Sequence, residues 1–401
     1  MALLPVNEAL ARVLEGMRPL PAEVLPLAET AGRTLAGDLD AQRTQPPFNA
    51  SAMDGYAVRA ADIESPPATL SVIGESAAGR RFEGRVKPGE AVRIFTGAPV
   101  PEGADTILIQ ENASPLENGR IEALEPATSG RHIRRAGLDF REGETILAQG
   151  RLLDPAALSL AAAAGHARVP VVRRPLVAVI ATGDELVPPE VVPGPDQIVA
   201  SNNFGIGALA GLDGARVLDL GIVPDRQDAI AAAIQKALSA RADIIVTLGG
   251  ASVGEHDLVR PVLTAEGMEL AFWKIAMRPG KPLMFGRFAE ARVLGLPGNP
   301  VSSLVCAHLF LRPMVARLSG RPFRPDLRTA TLTKAMKAND ERQDYVRAGV
   351  EESADGLTAA PFDTQDSSML STLAAANALV VREPNAPAAE AGESCTVLML
   401  R

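Results

Sequence analysis

The sequence predicts a multidomain chain built around a three-layer α/β domain and flanked by β-rich modules. Three observations carry this. Residues 173–320 repeat strand, loop and helix, with strands that are apolar almost without a break. Residues from about 45 to 134, and again 321–401, show short β-like runs between Gly and Pro turns. The 401 residues, 47% hydrophobic and 22% charged, suffice for several cores of ordinary size.

The elements follow in chain order. VNEALARVLEGMR (6–18) spaces its apolar side chains as a helix does, and Pro19 and Pro21 stop it. A second short helix is expected near Leu27–Leu35. Runs such as TLSVIG and EAVRIFTG then indicate a small β-rich domain. Asp154-Pro155 reads as an N-cap and first helical residue, and AALSLAAAAG continues to Gly165, suited to a helix C-terminus. If this helix packs with the N-terminal ones, the first domain is discontinuous and the β module is an insertion. The expected domains are 1–45 with 135–172, 46–134, 173–320 and 321–401. In the third, the strands are PLVAVIA, ARVLDLG, ADIIVTLGG, MELAFWKIA and ARVLGLPG. Its helices are NNFGIGALAGL, RQDAIAAAIQKALSA, DLVRPVLTAEG and PVSSLVCAHLFLRPMVARLSG. A parallel sheet covered on both faces is expected, with ligands at the carboxyl ends of its strands. RTATLTKAM, YVRAGVEES, ALVVREP and CTVLML make the last segment all-β.

Composition excludes several functions. A net charge of −8 is a poor match for nucleic acid, so an anionic ligand needs a local basic pocket. Cys306 and Cys395 stand far apart, which argues against a disulfide framework or zinc site, and four scattered histidines form no metal motif. The N-terminus MALLPVNEALARVLEG lacks the long apolar core of a signal peptide. No unbroken apolar stretch reaches the roughly 20 residues that span a bilayer. The expectation is a cytoplasmic protein without membrane contact.

Function-type residues concentrate in the strand-end loops of the α/β domain. These are Thr182-Gly183-Asp184-Glu185, Pro224-Asp225, Gly249-Gly250 with residues up to Asp257, and Pro297-Gly298-Asn299-Pro300 with Ser302 and Ser303. Their glycines let backbone N–H groups approach an anion, and their serines add hydroxyl donors. The same residues also suit helix caps and turns. The acids Asp184, Glu185, Asp225 and Asp257 should lie close together, suited to Mg²⁺ beside phosphate or to activating water. Lys274 and Lys281, the latter in Arg278-Pro279-Gly280-Lys281-Pro282, supply positive charge for an oxyanion. Gly205-Ile206-Gly207-Ala208-Leu209-Ala210 fits a dinucleotide fingerprint only formally, because its glycines fall inside an expected helix. In the β module, the loop around Asp54 and the turn-rich segment from Thr96 to Asp105 read as hairpin connections or as functional loops.

Together, SAMDGYAVR (51–59), TGAPVPEGAD (96–105), ATGDEL (181–186), GGASVGEHD (249–257), MRPGKP (277–282) and GLPGNPVSS (295–303) resemble the molybdopterin molybdenumtransferase family. This is the MoeA type, related to the E domain of gephyrin. The motifs stand in the family's order and span most of the chain. The resemblance implies a molybdopterin-binding α/β domain, a discontinuous helical domain with a β insert, and a C-terminal β-barrel. It implies cleavage of adenylylated molybdopterin with insertion of molybdenum from molybdate, giving molybdenum cofactor and AMP with help from Mg²⁺. It also implies a homodimer with a cleft shared between subunits, and transient contact with other cofactor-biosynthesis proteins.

Carried over by residue, Asp54 and Thr96 would line the cleft from the partner subunit. Glu185, Asp225 and Asp257 match family acids of the α/β loops, and Asp139 in RRAGLDF matches another. With Asp54 these are the expected catalytic acids, and Glu185, Asp225 and Asp257 are also the expected Mg²⁺ ligands. Ser252, Lys274, Lys281 and Ser302 would meet molybdate or phosphate oxygens. Thr182, Gly249, Gly250, Pro297, Asn299 and Pro300 would contact substrate from the same loops. Two departures stand out: Leu248 replaces a frequent Ser and removes a hydroxyl, and Ala251 replaces a Val. The rival functions are a molybdopterin carrier without turnover and, on the formal fingerprint alone, a nucleotide-dependent oxidoreductase.

Overall fold

The computed structural model describes residues 3–250, 258–288 and 290–400. It divides into two compact units: Val24–Ala31 with Gly37–Pro170, and Met1–Glu23 with Gly32–Ala36 and Val171–Arg401. The first helix, α1 (Val6–Leu14), belongs to the larger unit and buries Val6, Ala9 and Val13. It ends four residues before the sequence pattern does, because Gly16 turns the chain with a φ of +70°. The helix expected near Leu27–Leu35 is a correction: only a single 3₁₀ turn, Leu27–Glu29, forms there. Pro26 sits at its start and Gly32 follows with φ +69°, leaving no run in which a helix can propagate.

The smaller unit holds a six-stranded sheet. Its strands are β1 (Gly55–Val58), β2 (Ala68–Ser76), β3 (Glu90–Ile94), β4 (Thr106–Ile109), β5 (Ala113–Leu116) and β6 (Arg120–Ala123), in the spatial order β4-β1-β3-β2-β6-β5. Only β2 and β3 pair in parallel. Alternation sends Val58 and Leu108 to one buried cluster and Ala57 and Ile107 to the other, so both faces are covered. Chain segments on either side of this sheet meet. Ala41 donates to the Glu144 carbonyl at 2.8 Å and Gln45 to the Phe140 carbonyl at 2.9 Å, so the sheet is an insertion in sequence. Helix α2 (Pro155–Ala163) follows; the Asp154 carboxylate accepts from the Ala157 N–H and Gly165 leaves the helix at φ +102°. It packs on Phe140 and Ile146 in this unit, whereas α1 packs in the other.

The larger unit is layered around β7 (Leu176–Thr182), β8 (Arg216–Val223), β9 (Ile244–Leu248), β10 (Glu269–Trp273), β11 (Met284–Phe288) and β12 (Ala291–Leu296). Their order is β8-β7-β9-β12-β11-β10. β8, β7, β9 and β12 are parallel; β11 runs antiparallel to both β12 and β10. The wholly parallel sheet expected from the sequence is therefore corrected to a mixed one. β11 was hidden because Pro282 precedes it and Gly286 interrupts its apolar run. Helices α3 (Asn202–Leu212), α4 (Gln227–Ser239), α5 (Val259–Ala265), α6 (Pro300–Cys306) and α7 (Arg312–Leu318) cover the sheet. Val177, Val179, Val246 and Leu294 face α3, α6 and α7; Ala178, Ile180, Ile245 and Val293 face α4 and α5. This period of two makes the three layers. Gly205 and Gly207 lie inside α3, which removes the dinucleotide fingerprint from any strand-to-helix turn. A π-helical turn, Ala307–Leu311, joins α6 to α7. The resulting 19-residue helix has a mean hydropathy of 1.3, but 72% of it is buried in the core, as an interior helix requires.

Beyond it, β13 (Leu327–Leu332), β14 (Gln343–Ser353), β15 (Gly356–Pro361), β16 (Ala378–Arg382) and β17 (Ser394–Met399) close in the cycle β14-β15-β13-β17-β16-β14. This is a five-stranded barrel filled by Val346, Ala348, Val380 and Val397, as the family resemblance implied.

Candidate active site

The candidate loops of the larger unit all open on one edge of its sheet. β8, β7, β9, β12 and β10 end there and β11 begins there. The order of strands therefore orders the chemistry. Asp225 follows β8, and Thr182, Asp184 and Glu185 follow or end β7. Gly249 and Gly250 follow β9, and Pro297 to Ser302 follow β12. Lys281 precedes β11 and Lys274 follows β10. Acids stand at one end and lysines at the other. Five strand spacings of about 4.8 Å put roughly 24 Å between the outermost strands.

At the acidic end, the Asp225 N–H donates to the Asp184 carboxylate at 3.0 Å. Asp225 is half-buried, and burial first, then the Asp184 and Glu185 charges, hold its carboxyl above the usual aspartate range. Asp225 thus feels two like charges, and neither it nor Glu185 has a cationic partner among the described residues. Thr182 is buried, its hydroxyl 3.5 Å from the Leu248 carbonyl. Gly249 takes φ +91°, and a Cβ there would sit 2.8 Å from the Thr182 carbonyl oxygen, so the turn demands glycine twice over. Leu248 is 3% exposed and packs in the core with Leu296, so its side chain is an interior residue.

The Pro297-Gly298-Asn299-Pro300 loop is held from two sides. Asn202 Nδ2 donates to the Gly298 carbonyl at 2.7 Å. Asn299 Nδ2 donates to Ser367 Oγ at 2.9 Å, and the Val301 N–H donates to the Ser367 carbonyl at 3.1 Å. Pro300 opens α6, and Ser302 and Ser303 are buried in its first turn. Ser367 is placed by Arg347, a barrel residue 1% exposed whose Nη2 donates to the Asp366 carbonyl at 3.1 Å.

At the basic end the two charges of the MRPGKP motif separate. Arg278 is bound by Asp344, with an Nε–Oδ2 distance of 3.0 Å, and ties the loop to the barrel. Lys281 is exposed and has no carboxylate partner among the described residues. Lys274 is half-buried, with Nζ 4.6 Å from the Trp273 ring centroid; Arg260 lies 3.9 Å from the same ring. Ser252 and Asp257 lie outside the described residues. Among the described residues no three His, Cys, Asp or Glu side chains are grouped to hold a metal.

In the smaller unit, Asp54 precedes β1 and Thr96 follows β3, and the Gly55–Ile94 pairing brings them together. One Asp54 oxygen accepts from the Thr96 N–H at 2.7 Å and from the Thr96 hydroxyl at 2.8 Å. The backbone bond first, then the hydroxyl, then the Arg93 charge, hold the Asp54 carboxyl below its usual range. Gly55 is required by packing, since a Cβ there would collide with the Leu108 carbonyl. Arg93 stacks 5.0 Å from both the Tyr56 and Phe95 rings and donates to Gln110 at 2.8 Å. Asp139 is exposed, and its carboxylate makes no hydrogen bond among the described residues. Its N–H donates to the Gln45 carbonyl at 3.0 Å.

Sequence reasoning missed Arg93, Asn202 and Ser367. Arg93 left a weak signal, a charge within the apolar run EAVRIF. Asn202 showed only as the first residue of the expected helix NNFGIGALAGL. Ser367 left none, because its role exists only once the barrel meets a loop 68 residues earlier.

Comparison with known proteins agrees with this arrangement. Three family models match in succession: "MoeA N-terminal region (domain I and II)" at residues 4–165, "Probable molybdopterin binding domain" at 178–317, and "MoeA C-terminal region (domain IV)" at 329–400. The molybdopterin molybdenumtransferase of Haemophilus influenzae is 37% identical over 399 residues, 98% of each chain. That of Bacillus subtilis is 34% identical over 406 aligned positions, covering 99% of this chain and 94% of the other. The crystal structure of the molybdopterin biosynthesis MoeA protein from Pyrococcus horikosii superposes with a TM-score of 0.86 at 30% identity, covering 100% of both chains. The chain belongs to the MoeA family of molybdopterin molybdenumtransferases.

Proposed function

We propose that this chain transfers molybdenum from molybdate to adenylylated molybdopterin, releasing AMP and Mo-molybdopterin, along the carboxyl edge of its six-stranded sheet. One observation carries the placement: a single sheet edge is graded from acids at β8 and β7, through glycine- and serine-bearing loops, to lysines at β11 and β10 that have no carboxylate partner among the described residues. A ligand with separated anionic groups suits a graded edge about 24 Å wide better than a compact one does. Lys281 and Lys274 are assigned to oxyanion oxygens of molybdate or phosphate, and Ser302 and Ser252 to hydroxyl contacts in the loops between. Thr182, Gly249, Gly250, Pro297, Asn299 and Pro300 are assigned to substrate contacts. The reaction needs positioning and charge neutralisation more than a strong nucleophile, and fixed loops supply the first.

The acids suit Mg²⁺. Burial first, then the charges of Asp184 and Glu185, raises the Asp225 pKa; a cation would relieve the repulsion between the acids, and all the donors are oxygens. Asp225 and Glu185, with Asp257, are assigned as its protein ligands, substrate phosphates completing the shell. When bound there, Mg²⁺ would neutralise charge on the reacting phosphates. Asp54, kept ionised by Thr96, is assigned to the same reaction from the partner copy of a homodimer, and Asp139 is assigned a catalytic part as well. The four functional modules are read as 1–45 with 135–172, 46–134, 173–320 and 321–401. A cytoplasmic setting with transient delivery and acceptor proteins completes the reading; the two cysteines are unpaired, as a reducing compartment favours. The test is AMP release from adenylylated molybdopterin with Mg²⁺, with and without molybdate. Molybdate-dependent release is expected; tight binding without release under either condition would make the chain a carrier.

A further inference from the structure

In the larger unit, residues 32–34, residues 172–174, the turn after α3 and the C-terminus of α7 line a half-open pocket with about 10 Å³ of free space, the room of one small occupant. Three polar atoms of its lining residues are buried without a hydrogen-bond partner among the described residues: Thr34 Oγ1, Ser319 Oγ and Arg321 Nε. Thr34 is 2% exposed and Ser319 7% exposed, so neither hydroxyl can reach bulk water. Buried groups of this kind are rarely left unsatisfied, and three on one cavity call for a shared occupant.

The surrounding charge says what it is. Arg33 is paired with Glu23 and donates to the Val172 carbonyl at 2.8 Å. Arg173 is bound through two hydrogen bonds, 3.0 and 2.7 Å, to Asp243. The nearby Asp213 is held by Arg312 at 2.8 and 3.1 Å. Each carboxylate is thereby committed to another guanidinium. Arg174 and Arg321 also line the cavity and have no carboxylate bonded to them among the described residues; Arg321 Nη2 donates to the Gly32 carbonyl. Burial is the first cause holding the Arg321 pKa below its usual value; Asp213 opposes it, and Arg174 and Arg33 add to it. A cation is unfavourable here. A water would satisfy the hydroxyls and leave the positive surplus, and a tetrahedral oxyanion is too large.

We propose that this cavity binds one halide-sized inorganic anion, chloride under ordinary conditions, held by the Thr34 and Ser319 hydroxyls and Arg321 Nε–H, with Arg174 balancing its charge. The anion would fasten residues 32–34 to the end of α7. Crystals of the full chain soaked in sodium bromide should show an anomalous peak within hydrogen-bond reach of these three atoms. Thermal unfolding should rise saturably in sodium chloride, by about 2 °C over sodium gluconate at equal ionic strength. Ser319→Ala and Arg174→Gln should lose both the peak and the chloride-specific rise. A water at this position without a bromide peak overturns the proposal, as does a chloride effect that both variants retain. If a variant fails to fold, the bromide map of the unaltered chain decides alone.

Discussion

Asp225 is the residue whose environment most directly opposes its charge. Burial and the Asp184 and Glu185 carboxylates raise its pKa, so it gains a proton at a higher pH than a free aspartate does. For an acid with a raised folded pKa, the native state binds more protons than the unfolded chain in the window between the two values. Stability is then greater below that window and falls as pH rises through it. Asp225→Asn should therefore raise the melting temperature of the unliganded protein at pH 7 while lowering kcat/KM for AMP release by roughly 100-fold or more. A variant that is both active and no more stable would remove Asp225 from the site. Asp184→Asn should shift the acid limb of the kcat/KM profile toward lower pH, because it withdraws one of the charges that raise Asp225. The two cations of MRPGKP should separate in the same assays. Lys281, without a carboxylate partner among the described residues, should lose roughly 10- to 100-fold in kcat/KM on truncation to Ala with little change in stability. Arg278→Ala should chiefly destabilise the fold, since it strands Asp344.

Elements convert these residues into a site, and here sequence and structure part company. The strand-end motifs were legible because each must sit where a parallel strand meets its loop, and glycine spacing survives in one dimension. Gly249 shows why: its φ and the approach of the Thr182 carbonyl both forbid a side chain. β11 was not legible, because Pro282 and Gly286 break the apolar run and only pairing with β10 and β12 makes it a strand. The bracing of the Pro297–Pro300 loop by Asn202 and Ser367 was hidden for a related reason: a hydrogen bond to a distant loop leaves no local pattern. Ser367→Ala should cost about 1 kcal/mol in stability and, by loosening the loop, raise KM for the adenylylated substrate about tenfold. An unchanged KM would leave Ser367 a packing residue only. The π-helical turn between α6 and α7 makes another prediction. Burial pushes the His308 pKa down to about 4. Between that value and the ordinary 6.5 the unfolded chain binds a proton that the native state refuses, so stability falls as pH drops through this window. The loss should approach about 2–3 kcal/mol near its lower end, and His308→Gln should flatten the profile measured by denaturant unfolding.

At the scale of the whole molecule the open matter is how two sets of acids serve one reaction. Asp225 and Glu185 belong to one compact unit, and Asp54 with Thr96 to the other. If the functional assembly is a homodimer that joins the sheet edge of one copy to the Asp54 loop of its partner, complementation follows from symmetry. Homodimers of Asp54→Ala and of Asp225→Ala should each be inactive in AMP release. In a mixed dimer, one of the two sites combines the intact Asp225 of the first chain with the intact Asp54 of the second; the other site carries both substitutions. Random pairing of the two variants makes half of the dimers mixed, so co-expression should restore about a quarter of wild-type activity per site. Were the acids instead drawn from a single chain, every site in the mixture would lack one of them and no activity would return. Light scattering provides the independent arm. A fully active monomer would exclude the shared cleft, and in that case the Asp54–Thr96 pair would have to act within its own chain.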